Sequence, residues 1–227
     1  MTGLKQALRD NALTLFFGFI FLAALTGQAL TGHAVYNDDQ ITSGLQTISL
    51  GRYLTSSAFA VDVAENWQSE YLQFLLYIWA TVWFLQKGSP ESKELGKAGT
   101  ESDKDQKVAE HADEESPTWA RVRGRRLTLY SNSLGLTMAA IFLLSWLAQS
   151  IAGRAFFNEQ QINALQDPVS WLGYCTSSDF WNRTLQNWQS EFLAVASMVV
   201  LSIYLRQRGS PESKPVGSSH LATGVEG

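Results

Sequence analysis

Four blocks of apolar residues interrupt an otherwise polar chain, at residues 13–30, 71–85, 134–151 and 192–205. None of the four contains a charged side chain. A helix needs roughly 20 residues to cross a hydrocarbon core about 30 Å thick, and helical continuation into the flanks lengthens the shorter blocks. The pattern therefore predicts four transmembrane helices, although the mean hydropathy of the whole chain is only -0.07.

The chain also repeats itself at a spacing of 121 residues. Residues 8–93 align with residues 129–214 without a gap, and 32 of the 86 pairs are identical. Such self-similarity indicates a duplicated structural unit, and each copy here holds two spans. Because two spans return the chain to its starting side, both copies enter the membrane in the same direction. The predicted fold is an all-α membrane protein with four transmembrane helices in two tandem parallel two-helix repeats.

Basic residues predict the orientation of these spans. Of the 17 Lys and Arg residues, all but Arg52, Arg154 and Arg183 lie outside the two loops that join the spans of a pair. Since Lys and Arg favour the cytoplasmic side, those two loops are expected on the extracytoplasmic side. The first span also resembles a signal peptide, but its mid-chain counterpart favours retention of both. We expect a multi-pass protein of the bacterial inner membrane with cytoplasmic N- and C-termini.

Composition divides the chain into four segments. They are a first membrane repeat at residues 1–93, a charged linker at 94–120, a second membrane repeat at 121–214 and a tail at 215–227. The linker is rich in Lys, Glu and Asp and the tail in small polar residues, so both are predicted to be disordered. A basic cluster follows the linker, and it is either an orientation signal or a site for anionic lipids at about 1 kcal/mol per cation. Its members are Arg121, Arg123, Arg125 and Arg126.

Several classes of function find no support in the sequence. The net charge of -4 disfavours nucleic-acid binding. His33, His111 and His220 lie in separate segments and form no metal-ligand pattern, while Cys175 has no partner for an internal disulfide. There is no nucleotide-binding loop and no catalytic Ser/His/Asp or Cys/His set. We therefore expect no cofactor, no metal and no enzymatic activity.

The sequence Asn-Trp-Gln-Ser-Glu occurs in both copies, just before the second span of each. Its tryptophans, Trp67 and Trp188, are typical of interfacial anchors at the outer membrane boundary. Its glutamates, Glu70 and Glu191, admit a second interpretation as a symmetric carboxylate pair at the bilayer edge, since carboxylates at membrane depth often mark ion or proton sites.

Other polar residues retained in both copies extend this candidate polar site. Asn66 and Asn187 lie one helical turn before the glutamates, on the same helix face. Gln28 and Gln149, near the outer ends of the first spans, could hydrogen-bond those carboxylates or act as interhelical contacts. Asn37 and Asn158 lie on outer extensions of the first helices, where they could bind the irregular segment that follows or shape a small polar pocket.

Two further shared motifs concern helix ends. Tyr-x-Thr-Ser-Ser, at residues 53–57 and 174–178, offers serine N-caps for the returning helix. Gly-Ser-Pro-Glu-Ser-Lys, at residues 88–93 and 209–214, fits a helix C-terminal cap followed by a short turn. A docking site for a cytoplasmic partner is the alternative, because full retention of six residues exceeds what capping demands.

This set of motifs resembles a family of bacterial integral membrane proteins that is known only as a domain of unknown function. The shared features are Tyr-Asn-x-x-Gln after the first span, Asn-Trp-x-Ser-Glu before the second and Gly-Ser-x-Glu-Ser-Lys after it. The resemblance covers residues 8–93 and 129–214 and implies a location in the cytoplasmic membrane. It brings no catalytic or ligand-binding residues with it.

Three functions are compatible with these observations. The first is a non-enzymatic structural or partner-binding element with a compact extracytoplasmic cap, alone or as a homo-oligomer. The second is a small channel, transporter or proton-linked component that uses Glu70 and Glu191, although no span is broken by proline. The third is an intramembrane enzyme with the two glutamates as an acid/base pair.

Overall fold

The chain forms α-helices and connecting turns, and no strand occurs in residues 2–225, the part that the computed structural model describes. The all-α prediction is confirmed over this range. The helices are α1 (Thr2–Asp10), α2 (Ala12–Thr42), α3 (Leu50–Leu54), α4 (Ser57–Trp83), α5 (Arg125–Ser131), α6 (Ser133–Asn163), α7 (Trp171–Cys175) and α8 (Ser178–Tyr204), with a 3₁₀ turn at Ala109–His111. Helices α2, α3 and α4 recur as α6, α7 and α8 with every bound shifted by 121 residues, the spacing of the sequence repeat.

Two of these helices, α2 and α6, are long and apolar enough to cross a membrane, with mean hydropathies of 1.9 and 1.7 in their most apolar stretches. The prediction of four spans therefore finds support in two helices only. Helices α4 and α8 fall short because the Asn-Trp-Gln-Ser-Glu motif and other polar residues occupy their N-terminal halves. Only their last 13 residues form an uncharged apolar stretch, at 71–83 and 192–204.

The chain divides into two compact units, and each unit draws on both sequence copies. The first comprises residues 2–63 and 149–174, which include α2, α3, α7 and the C-terminal half of α6. Its core contains Val61, Tyr53 and Tyr174, which are 0–2% exposed. These tyrosines lie in the five-residue helices α3 and α7. The core of this unit therefore includes the loops between α2 and α4 and between α6 and α8, which are called the outer loops after their predicted side.

The second unit comprises residues 64–148 and 175–225. Its core combines apolar residues with a layer of buried polar ones, and Gln68 and Thr184 are completely inaccessible to solvent. An aromatic cluster centres on Trp146 of α6, whose ring lies 5.5 Å from Phe142 and 6.1 Å from Trp188 of α8. Since ring pairs at 4.5–7 Å attract one another, this cluster fastens α6 to α8.

The linker and the tail consist of turns in the structure. Residues 94–120 contain the single 3₁₀ turn, and residues 215–225 form successive turns. The division into four segments and the disorder of linker and tail stay predictions. Residues 1, 226 and 227 of the predicted terminal segments lie outside the described residues.

Candidate functional site

Each outer loop is held by an asparagine of the long helix before it. The Asn37 amide oxygen accepts from the backbone N–H of Ile48 at 2.8 Å, and the amide nitrogen donates to the Ile48 carbonyl at 3.0 Å. Asn158 makes the same two bonds with Val169, again at 2.8 and 3.0 Å. Of the two roles considered for these asparagines, the structure shows the binding of the irregular segment.

A second donor reaches the same carbonyl in each copy. In the first copy His33 Nε2 lies 2.7 Å from the Ile48 oxygen and 2.9 Å from Asn37 Nδ2, and the tautomer with its proton on Nε2 donates to the carbonyl. In the second copy Arg154 Nε donates to the Val169 oxygen at 3.0 Å. His33 and Arg154 occupy equivalent positions, so an imidazole in one copy and a guanidinium in the other contact the same loop carbonyl.

A glycine and a tyrosine complete the packing of each loop. A Cβ added to Gly32 would overlap the Tyr53 hydroxyl, and one added to Gly153 would overlap the Tyr174 hydroxyl. Only glycine lets the short loop helix approach the long helix this closely. Sequence reasoning missed this contact. The glycine and the tyrosine are each identical between the copies, which marks both positions as retained but does not indicate that they touch.

Helices α2 and α6 end in equivalent turns that require one residue with a left-handed backbone conformation. Leu45 N–H bonds to the Gln40 carbonyl, and Gln166 N–H bonds to the Gln161 carbonyl, both at 2.8 Å. This pattern places the intervening residue at positive φ, which is 72° for Gly44 and 58° for Leu165. Leu165 is 96% exposed. The second copy therefore presents a leucine to solvent in a conformation that disfavours leucine.

Serines begin the returning helices, as the Tyr-x-Thr-Ser-Ser motif predicts. The Ser56 hydroxyl accepts from the backbone N–H of Phe59, and the Ser177 hydroxyl accepts from that of Phe180, both at 3.2 Å. These bonds satisfy one of the N–H groups that a helix leaves without an intrahelical partner at its start.

Polar contacts between α4 and α8 surround the Asn-Trp-Gln-Ser-Glu motifs. The Trp188 indole N–H donates to the buried Gln68 side-chain oxygen at 2.9 Å, and Arg183 Nη1 contacts Glu65 at 3.1 Å. The indole of Trp188 is therefore half-buried and bonded to protein, whereas Trp67 is 42% exposed. The interfacial role of both tryptophans stays a prediction.

The two motif glutamates lie in the same unit and within electrostatic range of each other. Glu70 is exposed and Glu191 is half-buried. Asn66 is exposed, and Asn187 donates to the Arg183 carbonyl one turn earlier on its own helix, at 3.0 Å. The two carboxylates of the candidate polar site thus interact electrostatically, and Asn187 has a local partner.

The two glutamines of the candidate site differ in environment. Gln149 is completely buried, and Gln28 is half-buried. Their predicted hydrogen bonds to Glu70 and Glu191 stay predictions.

The Gly-Ser-Pro-Glu-Ser-Lys motifs form identical tight turns after α4 and α8. Gly88 and Gly209 adopt positive φ angles of 86° and 80°. The hydroxyl of the second serine in each motif accepts from a backbone N–H just before the motif, at 2.9 Å in both copies. Because α4 and α8 end at Trp83 and Tyr204, five residues before these glycines, the prediction of a helix C-terminal cap is wrong, and the motif is a separate tight turn.

After each turn, the chain returns to the last turn of the helix that it follows. Gly99 N–H donates to the Val82 carbonyl at 2.7 Å, and His220 Nδ1 lies 3.1 Å from the Ile203 carbonyl. Both pairs are related by the 121-residue spacing, so the structural repeat extends about six residues beyond the sequence repeat. The residues at these four positions differ between the copies, so sequence identity does not indicate this extension of the repeat.

The basic cluster after the linker has protein partners in the structure. Arg121 donates to the carbonyls of Ser116 and Glu114, and Arg123 pairs with Glu110. Arg125 and Arg126 begin α5. Binding of anionic lipids by this cluster stays a prediction.

Comparison with known proteins returns one family. Residues 4–225 match the model of a family described as "Domain of unknown function (DUF6766)". No curated protein and no solved structure matches the chain. Because the match covers nearly the whole chain, this protein belongs to the DUF6766 family, a family of unknown function.

Proposed function

We propose that the chain is a bacterial inner-membrane protein with four transmembrane helices and cytoplasmic termini, and that its two outer loops form a compact extracytoplasmic cap. In this proposal it serves as a non-enzymatic structural or partner-binding element. The outer loops and the helix ends that hold them belong to one compact unit, which agrees with a cap.

The observation that carries the membrane assignment is the exposure of α2. None of the residues in its most apolar stretch is buried in the protein, and Leu13, Phe17 and Phe19 are 60–74% exposed. Burying one such side chain away from water is worth about 1.5–3 kcal/mol, so a helix exposing so many of them is unstable in water and stable in lipid. A soluble helix would instead show one buried apolar face.

The assignment of α4 and α8 as further spans rests on their symmetry. Their uncharged apolar stretches occupy equivalent positions in the two copies, at 71–83 and 192–204. Each stretch is about 20 Å long at 1.5 Å per residue, and the tryptophan motif before it would lie in the interfacial region. Two short spans beside two long ones give an even number of crossings in each copy.

Alkaline carbonate extraction of membranes tests whether the protein is integral. The full-length chain is expected to remain in the membrane pellet and to be released only by detergent. Release into the carbonate supernatant would contradict the proposal, because peripheral proteins are stripped under these conditions while helices in the hydrocarbon core are not.

Partner binding by the cap is favoured by Leu165. A left-handed conformation destabilises a non-glycine residue by about 1–2 kcal/mol, and the equivalent residue in the first copy is Gly44. An exposed leucine kept at such a position is better explained by a contact outside the chain than by the fold. A photo-crosslinking residue at position 165 is expected to capture a defined envelope protein that the same residue at Asn163, also exposed, does not capture.

The proximity of Glu70 and Glu191 favours a second candidate, a proton-linked component. Partial burial, and after it the charge of Glu70, raises the pKa of Glu191 and so favours its protonated form. Proteoliposomes separate the candidates. A structural element shows no proton flux, and E70Q/E191Q leaves its insertion unchanged, whereas a pH-dependent flux that E70Q/E191Q abolishes would establish the alternative.

A further inference from the structure

A cavity of about 250 Å³ lies beside the C-terminal end of α4 in the second unit. Phe84, the residue after α4, and Val195 and Val199 of α8 contribute apolar lining. The first Gly-Ser-Pro-Glu-Ser-Lys motif contributes polar lining through Ser89 and Glu91. The motif therefore lines a space large enough for a small ligand.

A carboxylate lies at the polar wall of the cavity. The Tyr77 hydroxyl donates to the Glu91 carboxylate at 3.0 Å. Glu212, the equivalent of Glu91 in the second motif, also interacts electrostatically with this hydroxyl. The polar side of the cavity therefore carries the Glu91 carboxylate beside apolar lining residues.

The lysines of the two motifs are directed to other groups. Lys93 donates to the Gly99 carbonyl at 3.0 Å and pairs with Glu101 at 2.9 Å. The Lys214 ammonium, which is 1% exposed, lies within hydrogen-bond distance of four backbone carbonyls, of which that of Gly88 is nearest at 2.6 Å. These ammonium groups are held by the turns that follow each motif.

In the second copy an arginine replaces one of the residues that line the cavity in the first copy. Leu85 lines the cavity, and its equivalent 121 residues later is Arg206. The Arg206 guanidinium donates to the carbonyls of Ser202 at 3.2 Å and Ile203 at 3.1 Å, at the end of α8. The first copy has an apolar residue at this position and an open space instead.

We propose that this cavity binds a small organic ammonium ion with a short apolar chain. A primary ammonium has three N–H donors, which the Glu91 carboxylate and the hydroxyls of Tyr77 and Ser89 can accept. The apolar chain would lie against Phe84 and the two α8 valines. No group of three or more His, Cys, Asp or Glu residues able to hold a metal occurs in residues 2–225, so the acidic wall suits an organic cation better than a metal ion.

Two sources could supply this chemistry, a free alkylammonium ion or the aminoethyl head group of a phospholipid. The test uses the full-length protein in nanodiscs of phosphatidylcholine, whose quaternary head group has no N–H donor. Binding of n-hexylammonium is measured by ligand-observed NMR, with n-hexanol as the neutral probe of matched chain length. We expect saturable binding of hexylammonium and at least tenfold weaker binding of hexanol, because hydrogen bonds to charged groups are the stronger ones.

Variants separate the site from unspecific partition into the bilayer. E91Q removes the charge, V195F fills the apolar wall with all charges intact, and E115Q is the matched control at an exposed linker position. E91Q and V195F should each weaken hexylammonium binding about tenfold or more, and E115Q should not change it. Circular dichroism and chromatography confirm that each variant is folded.

The lipid source is tested by replacing part of the phosphatidylcholine with phosphatidylethanolamine. If the head group occupies the cavity, the apparent affinity for hexylammonium falls in proportion to the aminoethyl lipid, and E91Q removes this dependence. Unchanged affinity identifies the free ion as the ligand. Equal binding of hexylammonium and hexanol, or unchanged binding in E91Q or V195F, overturns the proposal. These outcomes do not depend on the number of membrane spans.

Discussion

The asparagine clamps of the outer loops give the sharpest prediction. In Asn37→Ala the Ile48 N–H loses its acceptor, while the Ile48 carbonyl keeps His33 as a donor. Two hydrogen bonds disappear, each worth about 0.5–1.5 kcal/mol net, so local opening of the loop should become easier by about 1–3 kcal/mol. Since 1.4 kcal/mol corresponds to a factor of ten, the Ile48 amide should exchange roughly 5 to 150 times faster.

Hydrogen–deuterium exchange with peptide-level mass spectrometry measures this directly. The peptide covering residues 43–50 should exchange faster in Asn37→Ala, and the peptide covering 164–171 should do so in Asn158→Ala. Asn163→Ala, at the exposed last residue of α6, is the control and should leave the peptide covering 43–50 unchanged. Parental exchange rates in that peptide for Asn37→Ala would refute the reasoning, since the clamp would then contribute nothing to loop stability.

Three further outcomes follow from the first unit. Gly32→Ala should destabilise the protein in denaturant unfolding, because the added methyl group overlaps a buried tyrosine hydroxyl. The control Gly27→Ala has open space around the added carbon and should be neutral or slightly stabilising. Equal effects of the two substitutions would contradict the packing. Leu165→Gly should raise stability by about 1 kcal/mol, and a loss would show that the leucine packs favourably. Burial, together with its hydrogen bond to Glu159, raises the pKa of Tyr36 to about 12. This tyrosine therefore stabilises the fold below pH 10 and loses that contribution as the pH rises through 12. In Glu159→Gln, ultraviolet titration should show the phenolate of Tyr36 at a lower pH, and an unchanged titration would exclude the hydrogen bond.

The internal repeat explains why much of the outer loops could be predicted. Asn37 and Asn158 are retained beside irregular segments that need hydrogen-bond partners, and the structure shows both making the same two bonds. Helix ends follow the same logic, because Ser56 and Ser177 have a local role that depends on neighbouring residues alone.

Contacts between distant residues were beyond the sequence. Gly32 and Tyr53 are both retained between the copies, but this identity does not show that the two residues are close in space. The Trp188–Gln68 bond joins positions that the repeat does not relate to each other, so no symmetry argument leads to it. The left-handed turn at Leu165 lacks the glycine that would announce it.

The number of spans shows where a local pattern misleads. An absence of charge over 14–18 residues predicts a span, but in α4 and α8 the polar motif lies in the same continuous helix and lowers its hydropathy. Whether such a helix crosses a bilayer depends on how the surrounding helices shield that motif, which is a tertiary property.

Labelling of single cysteines from outside the cell tests the four-span topology most directly. In a Cys175→Ser background, cysteines replace exposed Thr47 and Asp167 in the outer loops and exposed Lys104 in the linker, and spheroplasts are treated with a membrane-impermeant maleimide. Four spans predict labelling at positions 47 and 167 in intact spheroplasts, and at position 104 only after permeabilisation. If only α2 and α6 cross, the linker and the second loop exchange sides. Labelling at 104 together with protection at 167 would contradict the account.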